Sequence, residues 1–147
     1  MEFSLHPIGI IHSPFTEKGQ TPIQSSRSQA IGSVEVYAEF LEGLKDLEGF
    51  SHIILIYFFH QSDGYTLQVK PFLDHQDRGL FATRYPARPN PLGLSIVELK
   101  ILKDNFLTVE GIDVLDGTPL LDIKPYVPDF DVRENTRTGW YETRSKK

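Results

Sequence analysis

The run Leu94–Val114, LSIVELKILKDNFLTVEGIDV, decides the fold class. Leu94–Leu102 and Phe106–Val114 are rich in β-formers, and Lys103, Asp104 and Asn105 separate them, so the run reads as a β-hairpin. Outward from it, Gly32–Tyr37 sets Val34 and Val36 against Ser33, Glu35 and Tyr37, the period of two of a half-buried strand. His52–His60, HIILIYFFH, is a continuous apolar run and is expected to be a strand buried on both faces. Ser4–Ser13 opens the chain as a half-apolar extended segment closed by Ser13-Pro14. One stretch changes period. In Ala38–Leu47, Phe40, Leu41, Leu44 and Leu47 recur at three and four residues, which predicts the one helix of the chain, ending near Gly49.

Ten prolines and eleven glycines punctuate the rest. Thr83–Pro91 holds three Pro and two Arg, and Asp116–Pro128 holds three Pro around an Asp-Gly turn. Proline cannot donate to a ladder, so neither stretch is expected to be a central strand. Short strands with one helix and polar loops imply a mostly β domain, barrel or sandwich. At 147 residues and 39% hydrophobic content, the chain supports a single core.

The absence of cysteine excludes disulfides, thiolate nucleophiles, iron–sulfur clusters and Cys-based zinc sites, and suits a reducing compartment. The N-terminus lacks a signal-peptide pattern, and the longest apolar run, Ile53–Phe59, is far too short for a membrane span. A cytoplasmic protein without membrane association is expected. The net charge of −5 argues against coating nucleic acid by charge alone. Acidic residues gather in Glu35–Glu48, whereas the tail from Val132 carries Arg133, Arg137, Arg144, Lys146 and Lys147 against Glu134 and Glu142. Residues 1–131 are thus expected to form the barrel domain and 132–147 a basic tail, with no further C-terminal domain; the tail reads either as a phosphate contact or as a solvated terminus.

No G-x-G-x-x-G, Walker loop, G-x-S-x-G elbow or H-E-x-x-H occurs. On an extended strand His52 and His60 stand about 26 Å apart, too far to share an ion. His6, His12 and His75 are isolated in sequence, so no metal is expected. His60, followed by Gln61, falls where a strand meets its loop, either as a rim ligand or as a backbone-bonded cap. In Thr83–Pro91 the prolines stiffen the backbone and present Arg84 and Arg88, whose guanidinium forks suit carboxylate or phosphate, with Asn90, which both donates and accepts; the alternative is a rigid surface turn with Arg paired to nearby acids. In Leu115–Tyr126, LDGTPLLDIKPY, the Asp116-Gly117 turn gathers Thr118 and backbone groups. Further along, Asp122, Lys124 and Tyr126 alternate to one side, as a catalytic set or as a supporting ion pair with a capped Tyr.

Four blocks carry a resemblance: IGIIHSPF with TPIQ, FSHIILIYFFHQ, GLFATRYPARPNPLGLS and LDGTPLLDIKPYVP. In this order, over about Pro7–Pro128, the chain resembles the TsaA-like / TrmO family of S-adenosylmethionine-dependent tRNA adenine-N6-methyltransferases. The resemblance implies a single-sheeted antiparallel β-barrel, a homodimer, and S-adenosylmethionine as donor. The implied acceptor is N6-threonylcarbamoyladenosine at tRNA position 37, beside the anticodon. It places cofactor contacts on Pro22, Ile23 and Gln24, on His60 and Gln61, on Arg84 and Leu94, and on Asp116, Gly117, Thr118 and Pro119. If the chain is an enzyme, the residues themselves, apart from the resemblance, put substrate contacts on Arg88, Asn90 and Lys124 and proton-accepting or orienting roles on Asp122 and Tyr126. Many bacterial relatives carry Arg at the position of Ile23 and continue into a C-terminal domain. A non-catalytic S-adenosylmethionine-binding module and a small-molecule methyltransferase are the competing readings.

Overall fold

A computed structural model describes residues 1–23, 28–72 and 74–143. The strands are β1 (Gly9–His12), β2 (Ile31–Val36), β3 (His52–Phe58), β4 (Gln68–Val69), β5 (Arg78–Gly79), β6 (Leu92–Lys103), β7 (Phe106–Glu110) and β8 (Thr118–Pro125). Six of them close into a barrel in the order β1-β2-β7-β6-β3-β8, and every neighbouring pair is antiparallel. Closure leaves the barrel no unpaired edge. β4 and β5 form a separate two-stranded ribbon.

The expected hairpin is β6–β7, turning at Asp104-Asn105 with Asp104 at φ 55°. β6 is long because it serves two neighbours. Leu92–Glu98 pairs with β3, and Glu98–Lys103 pairs with β7, with a bulge between Leu99 and Ile101. Side chains alternate about the wall. Ile11, Val34, Val36, Ile53, Leu55 and Tyr57 point inward and are buried, together with Val97, Leu107, Val109 and Leu120.

Three expectations require correction. β3 is buried on one face only: Ile53, Leu55 and Tyr57 are interior, while Ile54 and Ile56 are half-exposed and Phe58 is exposed. Its continuous apolar run reflects an apolar outer wall, not a second buried layer. The helix at Ala38–Leu47 is replaced by two 3-10 segments, Ala38–Leu44 and Leu47–Gly49, broken by Asp46 in a left-handed conformation at φ 70°. Leu44 and Leu47 are buried, whereas Phe40 and Leu41 remain exposed. The stripe is therefore only partly used, and no α-helix is needed to bury it. The third correction concerns Asp116–Pro128, which contains a full barrel strand. β8 tolerates its prolines because Pro119 is paired only with β1 and Pro125 only with β3, at the two places where the strand lacks a partner on its other side. Among the described residues the one α-helical turn is Pro128–Asp131, here α1.

Barrel connectivity sorts the loops by end. Residues 13–30, 59–91 and 111–117 connect β1 to β2, β3 to β6 and β7 to β8, and in an antiparallel barrel all three open at the same end. The segment 37–51, the β6–β7 turn and the exit of β8 lie at the other.

Candidate ligand-binding rim

The three connections at one end are tied to one another by polar contacts. The Ser13 hydroxyl donates to the Val114 carbonyl at 2.6 Å, and the Ser13 amide donates to Asp116 Oδ1 at 3.0 Å. The Asp116 amide donates to the Phe15 carbonyl at 2.7 Å and the Gly117 amide to that of Ile11 at 2.9 Å. Lys18 Nζ donates to the Gln61 carbonyl at 2.6 Å, joining the first connection to the second. A rim held this way presents its groups in fixed positions, at little ordering cost on binding.

The turn after β7 has the expected form. Thr118 donates through both its amide (3.3 Å) and its hydroxyl (2.6 Å) to the Leu115 carbonyl, and Gly117 takes φ 83°, a region that penalises any Cβ. Space beside Gly117 is open, since an added Cβ would meet nothing within 4 Å. Thr118 is buried, and Asp116 stands exposed above it.

Arg84 is exposed in the second connection and lies close enough to act electrostatically on Tyr57, beneath the rim. Tyr57, Ser95 and Asp113 form a chain there, with Tyr57 Oη to Ser95 Oγ at 2.7 Å and Ser95 Oγ to Asp113 Oδ1 at 2.6 Å. Ser95 has one proton and gives it to the carboxylate, so Tyr57 is the donor to Ser95. Burial, and next the Asp113 charge, hold the Tyr57 phenol well above its ordinary range, offset by Ser95 and Arg84. Gly93 faces this ring: an added Cβ would come within 2.5 Å of Tyr57 and 2.7 Å of Phe59.

The remaining expected residues divide clearly. Pro22 and Ile23 belong to the first connection, Ile23 exposed, and Gln24 lies outside the described residues. His60 and Gln61 form the turn that follows β3, with His60 exposed. Pro119 begins β8 opposite Ile10. Leu94 is on the outer wall opposite Ile56, near the same end. Arg88 folds onto its own loop, donating from Nη1 to the carbonyls of Thr83 and Tyr85, both at 2.9 Å, with its guanidinium 5.9 Å from the Phe81 ring. The Asn90 carbonyl accepts from Leu92 at 2.7 Å, and its side chain is exposed. Asp122, Lys124 and Tyr126 are not brought to the rim. Asp122 and Lys124 form an ion pair of 3.0 Å on the outer wall, and the Asp122 carboxylate also accepts its neighbour's amide. Tyr126 lies beyond the far end of β8, edge-on to His52. Asp122 also lines a groove of about 520 Å³ beside the 3-10 segments, with Phe40, Leu44 and Phe50.

His12, isolated in sequence, has neighbours in the fold. Its Nε2 is 3.1 Å from Glu35 and its Nδ1 3.7 Å from Asp116, so it stands between the wall and the rim turn. Tyr57, Ser95 and Asp113 are separated by 38 and 18 positions. Only barrel register brings them together.

Fold and rim define a class: a closed antiparallel barrel whose three connections at one end are tied into a polar rim. Residues 10–132 match the family described as the tRNA-methyltransferase O N-terminal domain, and the chain belongs to that family. A Pyrococcus abyssi relative described as a probable S-adenosyl-L-methionine-binding protein is 59% identical over 96% of this chain and 77% of its own. The mouse tRNA (adenine(37)-N6)-methyltransferase is 36% identical over 88% of this chain, which spans 32% of that protein. The crystal structure of TrmO from Pseudomonas aeruginosa superposes with a TM-score of 0.80 at 42% identity, covering 95% of this chain and 62% of that one.

Proposed function

We infer that this chain is an S-adenosylmethionine-dependent methyltransferase that binds its donor across the rim and methylates N6 of a tRNA adenine. Family membership supplies the class of reaction. The structural observation carrying the reading is the convergence, at one end, of Pro22, Ile23, His60, Gln61, Arg84 and Asp116–Pro119. Their chemistry fits the donor. The exposed Arg84 suits its carboxylate, Asp116 its ribose hydroxyls or ammonium, and Ile23 and Leu94 offer apolar surface to a base.

When bound, S-adenosylmethionine supplies an already activated methyl group. The chain's own task is to align an adenine N6 with that group and exclude water. The tied rim, with Gly117 leaving its approach open, serves alignment; an unstacked anticodon-loop base would enter from the open end. The finer acceptor in this reading is threonylcarbamoyladenosine at position 37, with Arg88 and Asn90 of the second connection toward the RNA and Lys124 toward it only from a second copy of the chain. Asp122 and Tyr126 lie down β8 from the turn, so a proton-accepting role for either requires a second copy of the chain. The outer wall favours such a homodimer: Phe58, Leu92, Leu94 and Ile96 are 38–47% exposed and adjoin across β3 and β6.

The test is transfer of a tritiated methyl group from S-adenosylmethionine to tRNA with and without threonylcarbamoyl-A37. RNase-sensitive label confined to the modified tRNA is expected; RNase-resistant label would mean a small-molecule acceptor. Calorimetric donor binding without any transfer would favour the binding-module reading, to which the names of archaeal relatives lend support. Arg84→Ala is expected to weaken donor binding by roughly tenfold, the scale of one lost charged hydrogen bond, while its melting temperature stays near the wild type's.

A further inference from the structure

The chain after β8 leaves the barrel at the end opposite the rim, yet it returns to the connection that carries Arg84. Its return is marked by Trp140, the only tryptophan of the protein. Trp140 Nε1 donates to the Ala82 carbonyl at 2.8 Å, and Arg78 sits 5.9 Å from the centre of its ring. From Pro128 to Glu142 every residue except Trp140 is exposed. Apolar burial along the tail therefore does not hold it in place, and the contact at Trp140 is directional.

Both partners of Trp140 are themselves positioned. Asp74 is buried, with its Oδ1 accepting the His75 and Gln76 amides at 2.7 and 3.2 Å and its Oδ2 accepting from Arg78 Nε at 2.8 Å. Arg78 is thus held by Asp74 as well as by its contact with the indole. Ala82 closes the 3-10 turn Leu80–Ala82, anchored by the buried Leu80, whose carbonyl accepts both the Thr83 amide at 3.0 Å and the Thr83 hydroxyl at 2.8 Å. Arg84 follows directly. A hydrogen bond to Ala82 therefore acts on the turn that sets the direction of Arg84.

We propose that residues 139–143 are a strap, and that Trp140 is a positioning residue that holds the Leu80–Thr83 turn and so orients Arg84 toward the rim ligand. This rests on the reading of Arg84 as a donor-binding group. The hydrogen bond to Ala82 and the cation–π contact with Arg78 are surface contacts, a class in which each contributes on the order of 1 kcal/mol. Thermodynamic reciprocity then requires that a ligand favouring the oriented Arg84 also favour the attached indole.

The experiment uses the full chain and S-adenosylmethionine as probe. Trp140→Phe, which keeps a ring over Arg78 but removes the donor, is expected to weaken donor affinity roughly fivefold and to speed amide exchange at Thr83, with little change in melting temperature. In the wild type, donor binding should reduce quenching of the single tryptophan by acrylamide. Arg78→Met should act in the same direction as Trp140→Phe, and Arg78→Lys should recover part of the loss. Unchanged Thr83 exchange in both Trp140→Phe and Arg78→Met would overturn the strap. Faster exchange with unchanged donor affinity would overturn its action through Arg84. If the wild type itself fails to bind the donor, the proposed function fails, while the exchange comparison still decides whether the strap exists.

Discussion

Tyr57 shows how a single side chain can carry both packing and charge control. Its ring fills the space left by Gly93, and its hydroxyl heads the chain through Ser95 to Asp113. Burial and the Asp113 carboxylate both oppose the phenolate, so the folded protein keeps Tyr57 neutral where the unfolded chain ionises it. Below the ordinary tyrosine range both states hold the proton, and the group contributes no pH dependence. Above about pH 10 the unfolded state loses a proton that the native state keeps, so stability falls with a slope approaching 1.4 kcal/mol per pH unit. Urea melts between pH 9 and 11 should show this alkaline loss. Tyr57→Phe should reduce the slope by about one such group while costing about 1 kcal/mol at pH 7 through the lost hydrogen bond. An identical alkaline slope in the variant would show that Tyr57 is not the group responsible.

At the scale of elements, the sequence was most readable where one periodicity met one environment. The β6–β7 hairpin and β2 follow from alternation and a polar turn, and the Leu115–Thr118 turn follows from Asp-Gly. Reading failed where the partner decided the outcome. The prolines of β8 look prohibitive until the barrel shows that each meets a neighbour on one side only. The apolar stripe of Ala38–Leu47 has a helical period, but the barrel buries only Leu44 and Leu47 from it. The rim was partly legible through family motifs, whereas the Tyr57–Ser95–Asp113 chain and the contact between His12 and Asp116 depend on register between distant strands. The 3-10 segment gives a direct check. Leu44→Ala should cost about 2–4 kcal/mol, as for a buried leucine, and Phe40→Ala less than about 1 kcal/mol. Equal costs in chemical denaturation would restore an amphipathic helix with both residues in the core.

For the whole molecule, the outer wall poses the question that one protomer leaves open. Along β3 and β6, Ile54 stands opposite Ile96, Ile56 opposite Leu94, and Phe58 opposite Leu92, so six apolar side chains share one outward face. Contiguous apolar surface of this kind is characteristic of interaction sites. Its position is informative, because Asp122 and Lys124 flank it across β3 while Leu94 lies toward the rim. A two-fold interface is self-complementary, so the patch on one copy can meet the same patch on another. A dimer formed this way would bury the wall and supply a second copy's Asp122 and Tyr126, which no single protomer brings to its own rim. Ile96, 39% exposed, is the residue to test. Ile96→Arg places two like charges across the proposed axis without touching the core, and analytical ultracentrifugation should find a monomer where the wild type is a dimer. Methyl transfer should fall with dissociation, whereas donor binding by the rim residues of one chain should persist at least in part. A wild-type monomer at micromolar concentration, or an Ile96→Arg dimer with full activity, would remove the outer wall from the account and leave Asp122 to its ion pair with Lys124 and Tyr126 to its packing against His52.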